Sequence, residues 1–197
     1  TGFNDINYAN TIAYNDTAGI YIDHLTANPP AMNSVYPNSI YSNGGATNKG
    51  ILLATGAHGG ITAPNVTSVA CGSADGLYNV TVSYTNTVAA PSTVYLYKAD
   101  NTGSPSVTAD SVGGEGFEYL TEKTDNGTSG AKTMTFTDVP ITNGTAVSAY
   151  RYNDLHGPGG VSEFGTNGAI PNCGPSTCPA VSSTADSGTS SLRDCIG

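Results

Sequence analysis

Tryptophan is absent from these 197 residues, methionine occurs twice, and only six side chains are basic. Charge of either sign is scarce: Asp, Glu, Lys and Arg make up 11% of the chain, and 15 acids give it a formal charge of −9. A nucleic-acid binder needs a basic face for the phosphates, so this balance argues against that partner. It equally argues against an anionic membrane surface. No run of 18 apolar residues occurs, so no stretch reads as a membrane-spanning helix. No apolar stripe of period 3.6 appears in the central part, which leaves helices unexpected there. Also missing are G-x-S-x-G around a serine nucleophile, C-x-x-C, C-x-x-C-H and the EF-hand loop spacing. The chain starts at Thr1 with neither Met nor a signal-peptide pattern. It is therefore expected to be a mature or excised piece, any signal having been removed or lying upstream.

Polarity is carried instead by Gly, Asn, Thr, Ser and Tyr, a neutral surface common among secreted proteins. Between residues 63 and 173 short alternating segments are separated by turn residues. Tyr78, Val80, Val82 and Tyr84 share one face of a strand, and Asn79, Thr81 and Ser83 the other. Thr93 to Lys98 is apolar or aromatic on both faces, which predicts a central strand. Phe117 to Lys123 follows, then a turn at Asp125-Asn126-Gly127, then Lys132 to Asp138 with Met134 and Phe136 inward. Asn143-Gly144 turns into Ala146 to Tyr152. Val161 to Phe164 closes the set and Asn65 to Ala70 opens it. Seven short strands in this length predict an Ig-like β-sandwich.

Residues 1–62 follow another rule. Asn10-Thr11-Ile12-Ala13-Tyr14-Asn15 recurs as Asn38-Ser39-Ile40-Tyr41-Ser42-Asn43, 28 residues on. Gly19-Ile20-Tyr21-Ile22 recurs as Gly50-Ile51-Leu52-Leu53, 31 residues on. Such spacing predicts two rungs of a parallel β-helix, with Ile12 stacked on Ile40 and Asn15 on Asn43 at a corner. Residues 26–37, with Pro29-Pro30, read as a loop bulging from a rung.

Four cysteines, an even count, predict two disulfides and an oxidising, extracellular setting. Cys71 follows the first sandwich strand and Cys173 the last, and those strands often run side by side. The expected pairing is Cys71–Cys173 with Cys178–Cys195 stapling the tail; a local Cys173–Cys178 bridge is the rival.

Residues 174–197 begin rich in Pro and Ser and then read Val181-Ser182-Ser183-Thr184-Ala185-Asp186-Ser187-Gly188 and Ser191-Leu192-Arg193-Asp194-Cys195-Ile196. This string resembles the opening of right-handed β-helices in large secreted bacterial surface proteins. Gly114-Glu115-Gly116, Thr124-Asp125-Asn126-Gly127 and Ser162-Glu163-Phe164 resemble the Ig-like repeats of the same proteins, and residues 38–45 their last β-helix coil. The resemblance touches nearly the whole chain, through mostly structural Gly, Asn and Asp. It implies alternating β-helix and sandwich segments, surface scaffolding and adhesion, and no catalytic residues.

Candidate chemistry is thin. Arg151 and Arg193 are the only arginines, and Asp5, Asp16 and Asp23 the nearest acids in the rungs. They form no lyase-like cluster in sequence. His24, His58 and His156 are scattered and expected at the surface. No cofactor is expected. Ca²⁺ is the one ion the loops could hold, through Asp100, Asp110 and Glu115. Asn15, Asn65, Asn79, Asn126 and Asn143 each begin a glycosylation sequon. Tyr150 and Tyr152 are the tyrosines expected to be exposed and available to a glycan.

The reading is an all-β extracellular structural protein without enzymatic activity: partial parallel β-helix rungs, an Ig-like β-sandwich and a strand-forming C-terminal tail. Its expected partner is itself, head to tail in a filament. Ile6, Ile12 and Ile20 form the accepting edge, and Val181, Leu192, Arg193 and Ile196 the donating strand, Arg193 facing Asp5. The alternatives are an adhesin or carbohydrate-binding module, and a fragment of a polysaccharide-degrading enzyme.

Overall fold

A computed structural model describes residues 10–23, 34–35, 38–43, 49–87, 89–100, 114–153 and 160–173. Among them the chain is all-β, in several sheets, none of them closed. The first strands are β1 (Thr11–Ala13), β2 (Ala18–Ile22), β3 (Ser39–Tyr41) and β4 (Lys49–Leu53). They pair across the repeat: β1 lies parallel to β3 with Ile12 opposite Ile40, and β2 lies parallel to β4 with Ile20 opposite Ile51. The internal repeat thus places like residue on like residue, at the sequence offsets given above.

Two larger sheets follow. One holds β5 (Asn65–Cys71), β6 (Leu77–Asn86) and β9 (Gly130–Pro140), in the order β5-β6-β9. The other holds β7 (Ser92–Lys98), β8 (Glu118–Thr124), β10 (Ala146–Asn153), β11 (Gly160–Val161) and β12 (Gly168–Ala169), and runs β11-β10-β7-β8 with β12 also on β10. Alternation in β6 buries Tyr78, Val80, Val82 and Tyr84. These meet Val94 and Leu96 from β7, Met134 and Phe136 from β9, and Val147 and Ala149 from β10 in one core between the sheets. Of the expected seventh strand, Val161 to Phe164, only Val161 lies in a strand, at the end of β11; a second short piece, β12, follows beyond it, and both pair with β10. The stretch between them turns toward β5, where the Val66 N–H donates to the Thr166 carbonyl at 3.2 Å. That adjacency brings Cys71 and Cys173 together, their Cα atoms 5.5 Å apart across a disulfide.

A second core explains why β7 is apolar on both faces. Tyr97 and Tyr150, on the outer face of the second sheet, pack with Val161 and Phe164 against Ile22, Val35, Ile40, Ile51 and Ala57 from the rungs. Tyr150 stacks on Tyr95 at 5.0 Å and meets Phe164 edge-on at 5.1 Å. Tyr150 is therefore not a surface residue; it is 1% exposed. Its outward face is roofed by the repeats, which strand alternation alone does not reveal.

The link between rungs and sheet is pinned. His58, expected at the surface, is buried, and its Nδ1 lies 2.7 Å from the Val161 carbonyl oxygen. Gly160, at φ 147°, passes against the imidazole so closely that a Cβ there would come within 2.6 Å of the ring. His24 and His156 lie outside the described residues, as do Ile6, Asp5, Asp110, Cys178, Cys195 and the whole segment 174–197.

Candidate assembly interface

The residues expected to accept a strand are those of the first rung. Its corner is built by sequence. Tyr14 and Ser42, at equivalent positions, both adopt left-handed backbone at φ 62° and 52°. Each is followed by an asparagine, and these stack. Asn43 Oδ1 accepts from the Asn15 N–H at 3.2 Å and from Asn15 Nδ2 at 2.8 Å. Asn43 Nδ2 donates to the Ile12 and Tyr41 carbonyls, both at 2.9 Å. At the start of each rung Asn38 Oδ1 accepts from the Asn10 N–H at 3.0 Å and Asn10 Nδ2 at 3.1 Å. These bonds satisfy corner groups that a strand ladder leaves unpaired. Between the corners the rungs touch closely: a Cβ on Gly19 would lie 2.8 Å from the Gly50 carbonyl oxygen.

The two faces of this stack differ. The lower rung is covered. Ile40 exchanges both backbone hydrogen bonds with Gly116 at 2.7 Å, and Glu115 Oε1 accepts from the Asn43 N–H at 2.6 Å. Glu163 accepts from the Leu53 N–H at 3.0 Å and pairs with Lys49, while Phe164 packs below Gly50. Ile40 and Ile51 are 0% and 1% exposed. The upper rung has no such cover among the described residues: Ile12 and Ile20, their stacked counterparts, are only half-buried. Among the described residues β1 and β2 pair with β3 and β4 alone. Tyr14 and Tyr21 on this rung are 65% and 60% exposed, and Ile20, Tyr21, Ile22, Asp23, Ser34, Val35 and Asn38 line a groove of about 460 Å³. The structure thus brings Ile12 and Ile20 to one open edge, while Ile6, Val181, Leu192, Arg193 and Ile196 lie outside the described residues.

The residues weighed for chemistry are held structurally. The Asp100 carboxylate accepts from the Thr145 N–H, the Thr145 hydroxyl and the Ala146 N–H. Glu115 binds the rung as described above. Of the sequon asparagines, Asn15 and Asn79 spend their Nδ2 groups on Asn43 and on the Cys71 carbonyl. Asn126 is exposed in its turn, with the Thr128 hydroxyl donating to its Oδ1 at 3.1 Å.

One constellation had no clear sequence signal. Arg151 is 1% exposed. Its Nε donates to the Thr62 carbonyl at 2.8 Å, Nη1 to Asn86 Oδ1 at 2.6 Å and Ser92 Oγ at 3.0 Å, and Nη2 to the Thr85 carbonyl at 3.0 Å. Its guanidinium sits 5.0 Å above the Tyr84 ring. Burial pulls its pKa below the usual value, opposed by Tyr84 and Asp125. Asp125 Oδ2 accepts from the Tyr84 hydroxyl at 2.7 Å and Asn86 Nδ2 at 2.9 Å. Its Oδ1 accepts from the N–H groups of Ser92 and Gly127. Burial alone would raise the Asp125 pKa, but these hydrogen bonds and Lys132 hold it below the usual carboxylate value. Burial, with the Asp125 hydrogen bond, pushes the Tyr84 hydroxyl up. Arg151 thereby ties β10, β6, β7 and the linker at Thr62 together. Its best sequence clue is the Asp125-Asn126-Gly127 turn, which supplies the carboxylate end of the network.

Fold and edge together define an all-β protein with one disulfide among its described residues. No protein-family model matches the chain, and no curated protein matches it.

Proposed function

We propose that this chain is a structural module of an extracellular surface fibre: two coils of a parallel β-helix seated on an Ig-like β-sandwich, lengthened head to tail by strand addition at the open edge of β1 and β2. The observation that carries the reading is the asymmetry of the stack. Ile40 and Ile51 are enclosed, whereas Ile12 and Ile20 at the same stacked positions are half-buried. Fully burying such a side chain contributes about 1.5–3 kcal/mol, so covering both favours a further strand. Its backbone hydrogen bonds would go to the outer edges of β1 and β2. A contact between unlike ends propagates as a fibre unless it closes a ring. The disulfide fits an oxidising, extracellular setting.

Light scattering over a concentration series tests this. The full chain is expected to grow in mass with concentration, and Ile20→Lys, at a half-exposed position, to remain folded and monomeric. Deleting residues 181–197 tests whether that tail donates the strand. A strictly monomeric full chain at high concentration defeats the reading.

A second reading is favoured by one observation. Tyr14 and Tyr21 present exposed rings, and Tyr14 meets Tyr41 at 5.9 Å, which in turn meets Phe117 at 5.2 Å. Aromatic faces of this kind stack on sugar rings, as an adhesin or carbohydrate-binding module requires. Glycan-array binding lost in Tyr14→Ala would favour it over the fibre.

A further inference from the structure

The asparagine stack has a direction. In both corner columns the lower asparagine accepts and the upper one donates: Asn38 Oδ1 takes the Asn10 N–H and Nδ2, and Asn43 Oδ1 takes the Asn15 N–H and Nδ2. Asn10 and Asn15 therefore spend their donors downward. Their own Oδ1 atoms accept no hydrogen bond among the described residues, although each occupies the place that Asn38 or Asn43 fills one rung below. Among the described residues both columns end in the side-chain oxygen of an exposed asparagine, the two lying five residues apart in sequence with Ile12 between them.

We infer that Asn10 and Asn15 are a specificity code: the strand that covers β1 and β2 is a coil of a neighbouring module bearing Asn-x-Ile-x-x-Asn, followed by an apolar pair that falls over Ile20 and Ile22. The inference deepens the assembly reading and rests on its claim that this edge takes a strand. It follows from continuing an interface already present between the two rungs. A backbone in the same corner conformation as Tyr14 and Ser42 brings the N–H and Nδ2 of the incoming asparagine to the waiting Oδ1. Two donors meet one acceptor, as at Asn38 and Asn43. Aspartate offers a carboxylate to a carbonyl oxygen and has no side-chain donor when ionised; alanine supplies the backbone N–H alone. The incoming isoleucine takes over Ile12 the position that Ile12 takes over Ile40. Apolar contact supplies affinity without discrimination, and the asparagines set register, because a slip of one residue moves both amides off their acceptors. Residues 181–197 contain no asparagine, so that segment does not satisfy the code.

The test changes the incoming coil and leaves the accepting edge native. Three extended chains are compared, each with one segment placed directly before Asn10: a copy of residues 10–37, the same copy with its counterparts of Asn10 and Asn15 changed to alanine, and a copy of residues 181–197. Hydrogen exchange of the β1 and β2 amides is the readout, with β6 amides as the control for folding. The asparagine coil is expected to slow exchange in β1 and β2 at least tenfold over the unextended chain. The alanine coil and the tail segment are expected to lose most of that protection. Equal protection by the alanine coil, stronger protection by the tail segment, or none by the asparagine coil overturns the inference. Light scattering of the unextended chain decides the assembly reading separately. A chain that polymerises while the alanine coil protects fully keeps its fibre and loses its code.

Discussion

Replacing Arg151 by methionine should destabilise the protein by about 3 kcal/mol. Hydrogen bonds to a charged group contribute about 1.5–3 kcal/mol each and a buried acceptor left unpaired costs about 1–3 kcal/mol, so losing several of them at once costs about 3–5 kcal/mol. Arg151 makes such bonds to Thr62, Thr85, Asn86 and Ser92. Two terms place the figure at the lower end. Thr62 and Thr85 are exposed, so their carbonyls regain water once the guanidinium is gone. Asn86 Oδ1 keeps the Ser92 hydroxyl at 2.9 Å, so it is not orphaned. Methionine fills much of the arginine stem without its head, which limits the cavity contribution. Arg151→Lys should recover less than half of the loss, since a single ammonium cannot reach acceptors on both sides of the planar fork. Urea unfolding followed by fluorescence and by far-ultraviolet circular dichroism measures both variants. An Arg151→Met protein within about 1 kcal/mol of wild type, or above it, would refute the argument: desolvation of the guanidinium would then outweigh everything it holds, as happens for some buried ion pairs.

Two further outcomes follow from the two larger sheets. Replacing both Cys71 and Cys173 by serine opens a loop closed across 102 residues, and chain entropy sets the loss at up to about 4–5 kcal/mol; a change in midpoint below a quarter of that would mean the first and last strands hold each other without the bridge. For Asp125 the folded pKa lies below its unfolded value. Its contribution is therefore present above about pH 4 and is lost as pH falls through the folded value. Between pH 5 and pH 2 the wild type should lose stability that Asp125→Asn never had, so the gap between the two narrows with acid; a constant gap measured by urea titration argues against the assigned network.

Much of this architecture was legible in the chain itself. Alternation in Leu77 to Tyr84 identified the buried face of β6, and the recurrence of Asn10 to Asn15 at Asn38 to Asn43 gave the parallel pairing of β1 with β3. Both signals are local and periodic, and backbone geometry converts them directly into structure. Tyr150 was misjudged because its exposure depends on what lies over the sheet, and the cover comes from rungs about a hundred residues earlier. The structural role of Arg151 left no clear mark in the sequence, because arginine is rarely buried without a charged partner and its acceptors here are carbonyls and an amide that carry no charge. Glu115 and Glu163, which mark the resemblance to surface repeats, turned out to clamp the lower rung. The open edge was half legible: Ile12 and Ile20 are where the repeat put them, but the direction of the asparagine columns depends on which amide faces which.

The bridge between Cys71 and Cys173 also decides where tension would run. A pull applied to the chain before Cys71 and after Cys173 passes through two sulfur atoms and bypasses every strand between them. A span of 102 residues would release roughly 350 Å of slack if it were paid out as extended chain. With the bond intact none of that slack is available, and the span between the two cysteines behaves as an inextensible link however weakly its sheets adhere. Among the described residues stretch is confined to those before Cys71, so the parallel stack, its junction at Phe164 and β5 are the parts that bear it. Under reducing conditions the same link becomes a shock absorber, because the strands between Cys71 and Cys173 then come into the line of load.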